Sequence, residues 1–385
     1  MVAALGAAAV AAGWQDAAAQ ADDVIRIGIV SPNSGANARY GAFAQRGARL
    51  AADEINAAGG ILGKKIQLFP GDSQCTPTEG VSATQRLIEQ DKVQFIIGDV
   101  CSSVTLAMQP IVENRGVLLV NAASSNPDIT YKAGVGGFKW TFRNYPTDEG
   151  RALQVLQYAV EQKKFAKFAV LSVDSDYGRG AINFTKKYLP RFKAEIVSED
   201  YYKDKETDFR PVLTKIRRSD VHAIIMYGLA DTTPIVARQM LETGMAGKVA
   251  LVGNGEFTNP STIKTAPSVF QGAVEAAAWL PEWDNPKSKA FIADYQKKYD
   301  NEVPNVHGYT HWETVRLIRA AMLKANSVKP DDVRTTLSSL TYEGVMGQVK
   351  FDDHNQGNLP MILIEIADGV PLIKGTYSST IEYPK

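Results

Sequence analysis

From Val24 onward, short β-branched apolar runs alternate with longer amphipathic stretches, the pattern of βα units that feed parallel sheets. "VIRIGIVS" (24–31) predicts a first strand. A helix follows from about Tyr40 to Ala58, with Phe43, Leu50 and Ile55 among its apolar positions and "AAGG" stopping it. "KKIQLFPGD", "VQFIIGD" and "VLLVNAAS" predict strands two, three and four, each followed by a helical or Pro-punctuated stretch. These elements make one doubly wound α/β domain.

A second series begins after "FKWTFRNYPTDEG". The helix "EGRALQVLQYAVEQ" leads to the strand "KFAVLSVD", and helices then alternate with the strands "AEIVSEDYY", "VHAIIMYG" and "KVALVGN". The joint falls near Arg143 to Thr147, where Pro146 follows the strand-like "FKWTF". Long helical patterns return in "KSKAFIADYQKKY" and "YTHWETVRLIRAAMLKA", before the late strands "GQVKFDD" and "MILIEIAD". The expectation is two doubly wound parallel-sheet lobes, one from 22–144 with 279–350, the other from 145–278 with 351–385. A chain that crosses repeatedly between two lobes encloses a cleft and a hinge.

Composition narrows the partners. A chain of 385 residues suffices for two domains, and Lys plus Arg equals Asp plus Glu at 42 each, so no charge surplus points to nucleic acid or to bound cations. The opening "MVAALGAAAVAAGWQDAAAQADD" ends in Ala19-Gln20-Ala21, the small-x-small pattern cut by signal peptidase. It predicts a secretory leader over 1–21 and an exported, periplasmic chain, although no Lys or Arg precedes Arg26; an unstructured Ala-rich tail is the alternative. After Asp22 no apolar run is long enough to cross a bilayer. The two cysteines, Cys75 and Cys101, fit no zinc spacing, and in an exported chain a pair is most simply a disulfide, worth roughly 3 kcal/mol by loop closure. The other reading, a catalytic Cys101, would need a base and a reducing compartment.

In open α/β sheets ligands sit beyond the carboxyl ends of the strands. Those positions hold Ser31, Asn33, Ser34 and Tyr40 after strand one, Ser102 and Ser103 after strand three, and Asn121, Ala123, Ser124 and Ser125 after strand four. Such a ring of hydroxyls and amides suits a carboxylate, and each serine alone also suits a helix N-cap. In the second series, "VDSDYGRG" places Tyr177 at a strand-to-helix turn. "YGLAD" and "GNGEF" bring Tyr227, Ala230, Asp231, Gly255 and Glu256 toward the same cleft.

Enzymatic constellations are weak. The sequence has no G-x-G-x-x-G after strand one, no Walker loop, no G-x-S-x-G and no H-E-x-x-H. "HGYTHWE" spaces His307 and His311 by four with Glu313 nearby, which lacks a third strong metal ligand. The expectation is a binding protein with no cofactor, no metal and no nucleic-acid partner.

"IRIGIVSPNSG…YGAFAQRGARLAADEINAAGGILGKKIQL", "DSQCTP…GDVCSSVT", "GVLLVNAASSNPDIT" and "VDSDYGRG" together resemble the periplasmic substrate-binding proteins of ATP-driven importers, in the Leu/Ile/Val-binding family, from about Val24 to the end. The resemblance implies a two-lobe fold with three hinge strands that closes on a small ligand and delivers it to a membrane permease, as a monomer. It implies that Ser102 holds the ligand carboxylate, that Ala123 and Ser125 hold the head group with Ser124 adding an amide, and that Tyr40 and Tyr177 flank the ligand.

Two departures from the family pattern bear on the ligand. A second-lobe tyrosine would fall at Ala230, and the glutamate that pairs with a ligand ammonium would fall near Gly255, one residue before Glu256. Asp231 and Glu256 are the acidic substitutes, which favours an amino acid, branched-chain or otherwise apolar. The family also includes binders of aromatic acids and small amides, and Trp140, Phe142 and Tyr145 are candidates both to line such a pocket and to fill strand core. From another functional class, a ligand sensor for a membrane receptor fits the same architecture.

Overall fold

The computed structural model describes residues 24–229, 231–378 and 381–384. The expected leader, the cut near Asp22 and Ala230 lie outside the described residues. Fourteen strands are assigned among them: β1 Val24–Ser31, β2 Lys65–Asp72, β3 Phe95–Gly98, β4 Leu118–Asn121, β5 Thr141–Arg143, β6 Lys167–Val173, β7 Glu195–Tyr202, β8 Ala223–Tyr227, β9 Ala250–Asn254, β10 Val274–Ala277, β11 Tyr342–Glu343, β12 Gln348–Val349, β13 Pro360–Ala367 and β14 Val370–Ser378.

The first lobe is a five-stranded sheet in the order β2-β1-β3-β4-β5, parallel throughout. The second is a seven-stranded sheet, β14-β13-β10-β9-β8-β6-β7, parallel except for β13, which runs antiparallel to both its neighbours, β10 and β14. Strands covered by helices on both faces carry continuous apolar runs, and β3, β4 and β8 are buried at every position. In each sheet the strand order reverses beside the first strand, the point at which loops diverge and a ligand crevice opens.

Three crossovers join the lobes, after β5, after β10 and before β13. The last comes later than position 351. Phe351 bridges Gly357, and Gln356 bridges Arg143 at the end of β5, so the chain through Gly357 stays hydrogen-bonded to the first lobe. The physical reason is Arg143, whose buried guanidinium donates to Gln356 Oε1, to the Asn126 carbonyl oxygen (2.6 Å) and to Thr130 Oγ1. The helix Val306–Ala325 lies on the first lobe, crossing the helix Ala38–Ala57 where Gly47 and Gly308 meet: a Cβ on Gly47 would stand 1.9 Å from the Gly308 carbonyl oxygen. No helix among the described residues is long and apolar enough to cross a membrane.

Candidate functional site

The lobes enclose a cavity of about 560 Å³, within the roughly 300–1,000 Å³ typical of small-molecule sites. They touch across it at several points. Asn126 Nδ2 of the first lobe donates to the Asp176 carbonyl oxygen of the second (2.6 Å), Arg39 Nη2 donates to Ser261 Oγ (3.0 Å), and Glu256 Oε1 stands 3.6 Å from His307 Nε2.

The first-lobe wall comes from strand ends. Beyond β3, Asp99 Oδ1 accepts from the Cys101 N–H (2.6 Å), which turns the chain into the helix Ser102–Arg115 and sets Ser102 and Ser103 on the cavity. Cys101 is bonded to Cys75, so neither sulfur is a free nucleophile. Beyond β4, Asn121 Oδ1 accepts from the N–H groups of Ala123 and Ser124, both at 2.8 Å, and its amide donates to the Ser124 carbonyl oxygen (3.0 Å). That turn presents Ala123 and Ser125 to the cavity. It sends Ser124 the other way: fully buried, its hydroxyl lies 2.6 Å from the Asp99 carbonyl oxygen and 2.7 Å from Thr105 Oγ1, so Ser124 is a structural bridge outside the cavity lining.

Tyr40, Tyr145 and Tyr177 line the cavity. The Tyr40 ring meets His307 edge-on at 4.6 Å, and Tyr177 donates to the Asn254 carbonyl oxygen (3.1 Å). Burial holds both of these phenols well above the ordinary tyrosine range, the Glu256 charge adding to the effect at Tyr40 and Asp148 at Tyr177. They are therefore neutral donors. Trp140 and Phe142 face elsewhere, Trp140 under the Arg334 guanidinium and Phe142 in the core against Phe351.

In the second lobe Glu256 reaches the cavity and Asp231 does not. After β8, Gly228 and Leu229 line the cavity, and Asp231 is exposed at the start of the helix Thr232–Glu242. Tyr227 is core, its hydroxyl 3.3 Å from Thr185 Oγ1. Asn33 and Ser34 are tied to Asp72, and Ser31 to Asn33, off the cavity. Burial pushes the Glu256 carboxyl up, but the contact and charge of His307, with Arg39 and Asn259, outweigh it and hold the group below the usual glutamate range.

Three ionisable lining residues were not marked as ligand contacts by the sequence. Glu275, inside the apolar strand β10, accepts from the N–H groups of Gly255, Glu256 and Thr258, each at 3.1 Å, and so shapes the turn in which Glu256 takes φ +59°. Burial, then the Glu256 charge, raise Glu275 to about 7. His307 is aimed by Asn305, whose Oδ1 accepts from the His307 and Gly308 N–H groups at 3.0 and 3.1 Å. His311 turns back to the His307 carbonyl oxygen and Glu313 accepts from the Val345 N–H, so the three members of "HGYTHWE" point to different places. Arg151, in the first turn of the helix Asp148–Glu161, is 3 % exposed beneath the Tyr145 ring at 4.7 Å. Only the position of Arg151 just past the first crossover marked it in the sequence.

Two parallel-sheet lobes, three crossovers and a polar-ended cavity between the lobes define a cleft-closing ligand-binding protein. The chain belongs to the periplasmic binding protein family, whose model matches residues 24–370. An amino acid binding protein of Pseudomonas aeruginosa is 29 % identical over 332 residues, 86 % of each chain. A Leu/Ile/Val-binding protein homolog of Brucella suis is 28 % identical over 344 residues, 89 % of each. Among solved structures, the substrate-binding protein LivJ of Streptococcus pneumoniae with isoleucine superimposes with a TM-score of 0.81 at 26 % identity, covering 92 % of this chain and 99 % of that one. A solute-binding protein of Rhodopseudomonas palustris with 3,4-dihydroxybenzoic acid gives 0.85 at 20 % identity, covering 94 % and 99 %, a likeness of fold.

Proposed function

We propose that this chain is the solute-capturing component of an ATP-driven importer, exported through a cleaved leader, working as a monomer, and binding an amino acid with an apolar side chain. Ser102 and Ser125 take the carboxylate from the first lobe, Ala123 and Glu256 take the ammonium, and Tyr40 and Tyr177 flank the side chain. The observation that carries the reading is Glu256: a largely buried carboxylate on the cavity wall, held below the usual glutamate range, offers a ligand ammonium a charged partner beside His307. The amino-acid binders among its relatives support the same class.

A second reading is an aromatic carboxylate without an amine. The cavity favours it by size, several times the ~150 Å³ that holds benzene, and by the rings of Tyr40, Tyr145, Tyr177 and Trp279 on its wall. His307 would then serve as the partner of Glu256.

Thermal shift followed by calorimetry separates the two, because a ligand that binds only the folded state raises the melting temperature. The expected result is stabilisation by leucine or phenylalanine, with Glu256→Gln weakening that binding at least tenfold. Stabilisation by 4-hydroxybenzoate alone, unchanged in Glu256→Gln, would replace the amino acid with the aromatic acid.

A further inference from the structure

Arg151 has no role in the family pattern described above, in which hydroxyls and amides hold the ligand carboxylate. Its surroundings are nonetheless those of a cation waiting for an anion. It lines the cavity from the second lobe and is 3 % exposed. Its Nε has no hydrogen-bond partner among the described residues. The orientation of the Asn254 amide that satisfies both its neighbours accepts from Arg151 and donates to Glu275 Oε1 at 2.8 Å. The one carboxylate within ion-pair distance, among the described residues, is that of Asp148, at 3.9 Å from Nη1 and beyond hydrogen-bonding range. Glu275 is occupied by three backbone N–H groups.

Asp148 also locates Arg151 relative to the serines. Its N–H donates to the Ser125 carbonyl oxygen (3.0 Å) across the first crossover, so one residue of the hinge touches Ser125 on one side and faces the guanidinium on the other. Neither Asp148 oxygen has a partner in close hydrogen-bond geometry, and the Ser125 hydroxyl is the group that faces them. Burial raises Glu275 to about 7, so it is only partly ionised near neutrality; Asp148, raised to about 6, stays mostly ionised there but lies beyond hydrogen-bonding range of the guanidinium, while Arg151 stays cationic. A buried guanidinium with a free N–H at a cavity wall recognises a carboxylate in the way a hydroxyl does not, with full charge and two parallel donors.

We infer that Arg151 is a carboxylate anchor that reaches the ligand from the second lobe while Ser102 and Ser125 hold the same group from the first, so that the acid group itself draws the lobes together. This deepens the functional reading above and rests on it. It makes the carboxylate obligatory, for an amino acid or an aromatic acid alike, and excludes amides and esters of the same skeleton.

Calorimetry on the full mature chain tests it, with leucine, 4-methylpentanoate, leucinamide and 4-hydroxybenzoate as probes against wild type, Arg151→Gln and Arg151→Lys. Removing one member of a buried charge pair is expected to weaken binding of whichever acids the wild type takes by at least ~30-fold, with Arg151→Lys recovering part of it. Wild type should bind leucinamide far more weakly than leucine, and Arg151→Gln should narrow that gap. Melting of each variant without ligand checks folding, and Arg151→Lys carries the test if Arg151→Gln does not fold. If wild type prefers the acids and the variants keep both affinity and preference, the Arg151 assignment is overturned and the functional reading stands. If wild type binds none of the acids, or binds leucinamide as well as leucine, the carboxylate reading falls and Arg151 falls with it.

Discussion

Arg143 shows how much at the residue scale depends on partners far away in the chain. Its guanidinium is fully buried and bonded to Gln356, Asn126 and Thr130, and burial, opposed by the charges of Asp148 and Tyr383, lowers its pKa to about 10. Arg143→Ala removes three buried hydrogen bonds made by a charged group, at ~1.5–3 kcal/mol each, so a loss of about 3 kcal/mol or more is expected in a denaturant melt. A change within 1 kcal/mol would mean that water replaces the side chain. The candidate site divides on the same principle. Ser102, Ala123 and Ser125 were legible because strand ends in an α/β sheet face the crevice whatever their neighbours. Ser124 was misplaced because the Asn121 turn decides which of two adjacent serines faces the cavity. Glu275 and Arg151 were missed because their surroundings come from three stretches of chain with no shared motif.

At the scale of elements, strands and helices followed the apolar periodicity closely, since both faces of each sheet are covered. The helix expected from Tyr40 to Ala58 runs Ala38–Ala57. What periodicity leaves open is how closely two helices approach. Gly47 and Gly308 bring the helices Ala38–Ala57 and Val306–Ala325 into backbone contact, which places His307 over Tyr40. Gly47→Ala is expected to destabilise by about 1–3 kcal/mol through overpacking and to weaken ligand binding as His307 shifts; a thermal melt and a binding isotherm on one variant check both. The disulfide belongs to this scale too. Cys75–Cys101 closes a loop of sequence separation 26, and reduction should cost about 3 kcal/mol by loop entropy. Melting with and without reductant measures it, and unchanged stability would show that the reduced chain keeps the loop closed.

For the whole molecule the sign of the pH dependence follows from the buried acids. Burial raises Asp148 to about 6 and Asp99, Glu275 and Glu313 to about 7. Between the ordinary carboxylate range near 4 and those values the folded state binds more protons than the unfolded one, so stability falls as pH rises through that window. His311, lowered to about 3 by burial and then the neighbouring His307, opposes this, because it is neutral when folded and protonates on unfolding below ~6.5. Carboxyls held low, such as Glu256, act below that window, so these four acids outweigh His311 and predict a ligand-free protein that melts higher at pH 5 than at pH 8. The reverse order would mean that these carboxyls are ionised in the folded state.

The sequence by itself determined two parallel-sheet lobes, a cleft between them and the serine-bearing strand ends that face it, because each follows from apolar periodicity and chain order, which are local. Tertiary structure alone decided which charges enter the cleft. Arg151, Glu275 and His307 acquire their roles from neighbours tens to hundreds of residues away, and the balance between desolvation and charge that sets a buried ionisable group exists only once the lobes have packed.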